Sequence, residues 1–328
     1  MRAIQIDDSG DRPALVLGEA PDPQPGPGEV LVEVVAAGVN RADLVQAAGK
    51  YPPPPGESEI IGLEVSGRIT ALGPQDTGDW QVGDVVCALL AGGGYAEQVV
   101  VPVGQLLPAP KGIDLVTAAA LPEVACTVWS NLVDAGRLTA GETVLLHGGS
   151  SGIGTMGIQV ARTLGARVAV TAGSAEKLDA CQDLGAEILV NYKEQDFVEA
   201  VRGVTEDGVD VILDLVGGDY LERNLQALAK DGRLVIIGLM GGRSAEIDLG
   251  LMLRRRLSVQ ATSLRGRTRE DKARIVSAVR ENLWPKVATG EIRPVVQETF
   301  PLAEAAAAHR VLKDSGHVGK VVLRVEQA

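Results

Sequence analysis

Aromatic rings, histidine and cysteine are all scarce in this chain. Of 328 residues only two are Phe, three Trp and four Tyr, and the formal net charge is −12. Few rings leave little to stack bases on, and an excess of acid repels phosphate backbones, which argues against nucleic acid as a partner. The cysteines, Cys87, Cys126 and Cys181, are far apart and odd in number, as suits a reducing cytosol without a disulfide framework. With no CxxC pair and only His147, His309 and His317 beside them, the sequence offers no structural zinc cluster. It also lacks a basic, apolar and small-residue leader pattern, and no uninterrupted apolar run reaches the thickness of a bilayer. The expectation is a cytoplasmic protein with no membrane partner, long enough at 328 residues for two domains with a core each.

Glycine, by contrast, is abundant at 40 residues. The stretch Thr143-Val144-Leu145-Leu146-His147-Gly148-Gly149-Ser150-Ser151-Gly152-Ile153-Gly154 reads as a short apolar strand, a glycine-rich turn and the start of a helix. Such a turn lets the backbone approach a pyrophosphate, and the helix N-terminus adds free N–H groups and a partial positive charge. The literal GxGxxG falls at Gly152, Gly154 and Gly157, but a phosphate cradle must follow its strand directly. The cradle is therefore placed at 148–154, with Gly149, Ser150, Ser151, Gly152 and Ile153 as cofactor-binding residues and Gly157 inside the helix, against the sheet.

Around this stretch the chain changes character twice. Residues 2–6 and 14–18 read as a hairpin turning at Ser9-Gly10-Asp11, and residues 29–36 as a strand after a proline-rich link. Asn40 or Asp43 caps a short helix, and the prolines of 52–55 stiffen the loop that begins at Tyr51. Further short strands near 62–69, 83–89 and 94–101, without helices between them, argue a small, partly open β-barrel. Residues 115–135 carry alanine-rich helical spacing broken by Pro122. Six strands then alternate with helices, at roughly 143–147, 167–171, 187–190, 209–213, 233–237 and 257–262, the pattern of a doubly wound parallel sheet. After a charged helix near 269–283, strands at 294–300 and 319–323 are expected to rejoin the first domain. The division expected is 1–122 with 265–328 as a β-rich domain, and 123–264 as an inserted dinucleotide-binding domain, with a cleft between the two.

A site for NAD usually places an acid at the end of its second strand, on the ribose 2′-hydroxyl. Here that strand runs into Ala172-Gly173-Ser174, with no acid. Ser174 as a donor and Lys177 as a point charge suit a 2′-phosphate, and Tyr192, after the third strand, is placed to donate to it. The plainer readings are a solvated helix lysine and a loop tyrosine. The cofactor expected is NADPH.

Several segments together resemble the medium-chain dehydrogenase/reductase superfamily, and within it the zinc-free, zeta-crystallin-like quinone oxidoreductases. They are residues 37–43 (Ala-Gly-Val-Asn-Arg-Ala-Asp), 62–67 (Gly-Leu-Glu-Val-Ser-Gly), 147–154, 214–218 (Asp-Leu-Val-Gly-Gly) and 319–323 (Gly-Lys-Val-Val-Leu). Residues 40–44 with 51–56 and 238–242 are similar to the tumour-suppressor-inducible branch of that family. The resemblance implies a Rossmann-type sheet inserted into a GroES-like barrel. Zinc-using relatives place a cysteine where Asn40 stands and a histidine where Leu63 stands, so no metal site is expected.

The resemblance further implies reduction of quinones by NADPH. Asn40 and Tyr51 are then the catalytic candidates, orienting the acceptor and hydrogen bonding to its oxygen. Thr127, the loop Leu239, Met240 and Gly241, and the loop Ser263, Leu264 and Arg265 would hold the nicotinamide half. The structural alternatives are a turn asparagine, a packing tyrosine and a helix threonine; Tyr95, Cys126 and His147 are read as structural, and 254–256 as a solvated basic helix face. Reduction of an enone or alkenal double bond, or non-catalytic NADPH binding, are the competing functions. The sixth strand, residues 257–262, would be an exposed edge unless a second copy pairs with it, which makes a homodimer the expected assembly.

Overall fold

Seven strands form first: β1 (Arg2–Asp7), β2 (Ala14–Glu19), β3 (Glu29–Val39), β4 (Glu64–Leu72), β5 (Val85–Leu89), β6 (Gln98–Pro102) and β7 (Leu106–Pro108). Six follow from residue 143: β8 (Thr143–His147), β9 (Arg167–Ala172), β10 (Ile188–Asn191), β11 (Val209–Asp214), β12 (Leu228–Ile236) and β13 (Ser258–Ala261). The last two are β14 (Val296–Pro301) and β15 (Lys320–Arg324). The structure, a computed structural model, describes residues 1–10 and 13–326; Asp11 of the expected first turn lies outside them. The chain divides into two compact units, Met1–Cys126 with Leu264–Ala328, and Thr127–Ser263.

In the first unit β3 is the hub. Its eleven residues alternate valine and leucine with smaller or polar neighbours, as a strand packed on one face requires. One edge of β3 pairs with β4 along its length; the other pairs with β6 from Glu29 to Glu33 and with β15 from Ala36 to Val39. β5 and β7 extend the sheet beyond β4, and β14 runs parallel to β15. The C-terminal strands thus return to the N-terminal sheet, as their pattern predicts. Val30, Val32, Val34, Ile61, Val65, Ile69, Tyr95 and Val321 form its core.

The second unit is a six-stranded, wholly parallel sheet in the order β10-β9-β8-β11-β12-β13. Strand order reverses on either side of β8, which is where doubly wound sheets bind ligands, outside the strands' carboxyl ends. β8 is apolar throughout because helices cover both faces of such a sheet; Val144, Leu145 and Leu146 are buried. β12 begins five residues earlier than its sequence pattern suggests. A bulge between Val209 and Val211 lets Leu228 pair with Val209.

The alanine-rich run resolves into helices Leu115–Ala118 and Pro122–Val128 and a wider π-type winding over Trp129–Ala135. Pro122 begins the second helix, where its missing N–H costs nothing. Among the described residues, Leu115–Ala135 is the one helical run long and apolar enough to cross a bilayer, and 78% of its most apolar window is buried inside the protein.

Candidate active site

The turn after β8 is held from both sides. Ser151 caps the helix Gly152–Thr163 by accepting the Gly154 N–H at 3.1 Å, and Gly149 N–H donates to the Thr171 carbonyl of β9. A Cβ on Gly154 would strike the carbonyl oxygens of Gly148 and Gly149, so the turn closes this tightly only over glycine. Gly157 lies within the helix with Leu146 of β8 against it, as expected from the sequence. The result is a row of backbone N–H groups from Ser151 to Gly154 at a capped helix start, a geometry suited to an anionic diphosphate.

The ends of β9 and β10 make the neighbouring corner. Ser174 caps the helix Ala175–Leu184 by accepting the Lys177 N–H, which leaves its own hydroxyl proton to donate. A Cβ on Gly173 would lie 2.6 Å from the Tyr192 hydroxyl and 3.3 Å from Lys193 Cε. Tyr192 and Lys193 therefore fold over Gly173, and the Lys193 charge helps to lower the Lys177 pKa, after burial itself. Gly173, Ser174, Lys177 and Tyr192 come together as the sequence reading places them. Lys193 was missed by that reading, although its signal was a second base directly after Tyr192.

A buried polar network lies beneath both features. The Asp214 carboxylate accepts the N–H groups of Val216 (2.7 Å) and Gly217 (3.0 Å) and the Asn224 Nδ2–H (3.1 Å). With its nitrogen committed there, Asn224 presents Oδ1 to His147 Nε2 at 2.7 Å, so Nε2 carries the imidazole proton. His147 Nδ1 then accepts from Thr171 Oγ1 at 3.1 Å, and that hydroxyl oxygen accepts the Gly148 N–H at 3.3 Å. Burial holds the imidazole neutral, with its pKa pushed down to about 4, and raises that of Asp214 to about 6. Leu239, Met240 and Gly241 belong to the same assembly. Gly241 N–H donates to Val216 O and Asp219 N–H to Gly241 O, which holds the loop on the 214–219 segment with Leu239 and Met240 exposed. Thr127 is buried at the start of this unit and Ser263 is exposed at its end.

In the first unit, neighbouring strands bring Lys320, Asn40 and Glu64 together. Lys320 Nζ donates to Asn40 Oδ1 at 2.6 Å and to Val39 O at 3.0 Å, and lies 2.6 Å from Glu64 Oε1. Asn40 Nδ2 donates to the same Glu64 oxygen at 3.0 Å, and Glu64 Oε2 accepts the Glu123 N–H at 2.9 Å. Lys320 is 5% exposed, Asn40 8% and Glu64 not at all. Asn40 also opens the helix Arg41–Ala47, where its N–H is held by the Asp43 carboxylate at 2.7 Å. Behind it, Tyr95 donates to Asp43 at 3.0 Å, and His309 Nε2 lies 3.2 Å from the Tyr95 hydroxyl.

Arg265 is buried in the first unit rather than turned to solvent. It donates to Ala91 O (2.7 Å), Tyr51 O (3.2 Å) and Gln46 Oε1 (2.8 Å), and its guanidinium lies 5.0 Å from the Tyr51 ring centre. It thereby anchors the loop that carries Tyr51, itself half-buried, while Leu264 beside it is half-buried. Arg255 and Arg256 also leave the solvated role: Arg255 donates to Gln226 O and Leu228 O, and Arg256 pairs with Asp231.

Residues 26–111 match the family described as alcohol dehydrogenase GroES-like domain, and residues 152–280 that described as zinc-binding dehydrogenase. The second description is not met by these residues: Asn40 and Leu63 replace two metal ligands of zinc-using relatives, and the Lys320 ammonium lies against Asn40. Among the described residues no group of three His, Cys, Asp or Glu side chains is arranged to hold a metal ion. The chain is 34% identical over 327 residues to the phthioceranic/hydroxyphthioceranic acid synthase of Mycobacterium tuberculosis, matching 99% of this chain but only 15% of the synthase's length. It is 30% identical to mouse quinone oxidoreductase, with 98% of this chain and 97% of that protein covered. The solved Escherichia coli quinone oxidoreductase complexed with NADPH superposes with a TM-score of 0.88, at 28% identity, over 99% of this chain and all of that one. The chain belongs to the quinone oxidoreductase family of the medium-chain dehydrogenases/reductases.

Proposed function

We propose that the chain is an NADPH-dependent quinone oxidoreductase that works without zinc. The observation that carries the cofactor reading is the corner at Gly173, where Lys177, Lys193, Tyr192 and Ser174 converge and no acid stands to receive a ribose hydroxyl. The N–H groups from Ser151 to Gly154 hold the diphosphate, with Gly149 and Ser150 shaping the turn. Thr127, Leu239, Met240, Gly241, Ser263 and Leu264 hold the nicotinamide half. Bound there, NADPH supplies a hydride. A quinone accepts a hydride readily, so the chain's task is to position the acceptor and to stabilise negative charge on its oxygen, which falls to Asn40 and Tyr51.

Steady-state turnover of an ortho-quinone with NADPH and with NADH tests this reading. NADPH is expected to be preferred, and Lys177→Ala should raise the KM for NADPH about tenfold to a hundredfold while moving that for NADH little, since a charge-assisted phosphate contact is lost. Equal change in both KM values would refute the 2′-phosphate assignment, and no turnover with any quinone would refute the activity.

A second reading is supported by the likeness to a polyketide synthase along nearly the whole chain. It is NADPH-dependent reduction of a carbon–carbon double bond conjugated to a carbonyl. The same cofactor site serves, and product analysis with an α,β-unsaturated ketone separates the two. The assembly proposed is a homodimer in which a second copy covers the outer edge of β13.

A further inference from the structure

Lys320, Asn40 and Glu64 stand on three adjacent strands or at their ends. Val321 of β15 is opposite Val39 of β3, and Ala37 of β3 is opposite Val65 of β4. Gly38 lies between them, and any Cβ there would collide with the Glu64 carboxylate and with Ala119 O. The glycine therefore leaves a lane across β3 through which Glu64 reaches Lys320 and Asn40.

The bonding inside this cluster is nearly closed. Three acceptors, Val39 O, Asn40 Oδ1 and Glu64 Oε1, receive the three protons of the ammonium. Asn40 can only face one way, with oxygen on the cation and nitrogen on the carboxylate. Its two Nδ2 protons are unequal, however: one goes to Glu64 at 3.0 Å, and the other has only Gly38 O at 3.4 Å. A fixed cation on an amide oxygen draws electron density away from the amide nitrogen, so the weakly held proton becomes a stronger donor.

We propose that Lys320 is a positioning residue for Asn40 and takes the electrostatic place that a metal ion holds in zinc-using relatives. It orients and polarises the Asn40 amide, whose second Nδ2–H is given to the oxygen of the acceptor. This rests on the quinone-reductase reading above. Hydride addition from NADPH brings two electrons and one proton to the acceptor and leaves an electron pair on its oxygen. The Asn40 N–H stabilises that oxyanion until water protonates it. The same ammonium closes the position to a divalent cation.

The test uses the full chain with NADPH and an ortho-quinone. Lys320→Met should lower kcat roughly tenfold to a hundredfold, as loss of a supporting outer contact does, with the KM for NADPH and its affinity by fluorescence titration unchanged. Lys320→Arg should recover part of the loss. Because Lys320→Met leaves Glu64 buried without its cation, the double variant Lys320→Met/Glu64→Gln keeps the test open: it should melt near the wild type yet keep the low kcat. Zn²⁺ should leave the wild-type Tm unshifted. Wild-type kcat in the folded double variant, or parallel loss of NADPH affinity and kcat, would overturn the proposal, as would a zinc-induced rise in Tm. An inactive wild type would instead overturn the quinone-reductase reading.

Discussion

The Asp43 carboxyl lies wholly buried at the third position of its helix, and burial pushes its pKa up to about 7 despite the Asn40 N–H and the Tyr95 hydroxyl on one oxygen. Its other oxygen, Oδ1, has no partner among the described residues. The charges that face it are Lys320, which favours the carboxylate, and Glu64, which opposes it; His309, beyond Tyr95, is held neutral by burial with a pKa near 4. A carboxyl whose pKa is higher in the folded chain than in the unfolded one stabilises the fold below its ordinary value of 3.8, and that contribution is lost as pH rises through about 7. Asp43→Asn keeps an acceptor for Asn40 and Tyr95 without the buried charge. The variant's Tm should therefore gain on the wild type steadily from about pH 4 to pH 7.5. Parallel melting curves across that range would show that Asp43 does not titrate there.

At the level of elements, the β8-turn-helix unit was legible in the sequence because its constraints are local. An apolar run, small residues at fixed offsets and a serine cap fall within twelve consecutive positions, and strand-helix alternation fixed what surrounds them. The corner at Gly173 was legible for the same reason, since Ser174 and Lys177 are close neighbours in the chain. The cluster around Asn40 was not. Lys320 is 280 residues away from Asn40, and only the pairing of β15 with β3 brings the two together. Glu64 and Lys320 did leave a trace, as charged residues of opposite sign at the edges of apolar strand runs, a placement that asks for a buried partner. Arg265 misled in the opposite sense: its position after β13 suggested a ligand contact, while its guanidinium is committed to Ala91, Tyr51 and Gln46. The turn itself yields a direct prediction. Gly154→Ala sets a methyl against two backbone carbonyls that cannot swing aside as a side chain would. Overpacking of that kind costs about 1–3 kcal/mol, so Tm should fall, and NADPH titration should show the affinity loss that follows from widening the cradle. Unchanged affinity would mean that the diphosphate is held elsewhere.

For the molecule as a whole, each unit has its own buried core, and the second leaves one side of its sheet unfinished. β13 is last in the strand order, and three of its four residues are exposed. Beside it in sequence, Leu249 is 69% exposed, Leu253 80% and Ile247 39%. An open edge flanked by apolar side chains invites pairing, and two identical edges related by a two-fold axis satisfy each other without any second surface. The wild type should therefore sediment with the mass of two chains at assay concentration, and Leu253→Asp, which places a charge in the contact, should shift it toward one. A wild-type mass of a single chain would remove the dimer from the proposed function. Electrostatics add a check that does not depend on a variant. Each chain carries a net charge of −12, so two copies repel at long range, and salt shortens that range to about 8 Å at physiological ionic strength. Apolar edge pairing of two acidic chains should tighten as salt is raised, whereas a dimer held by ion pairs would loosen.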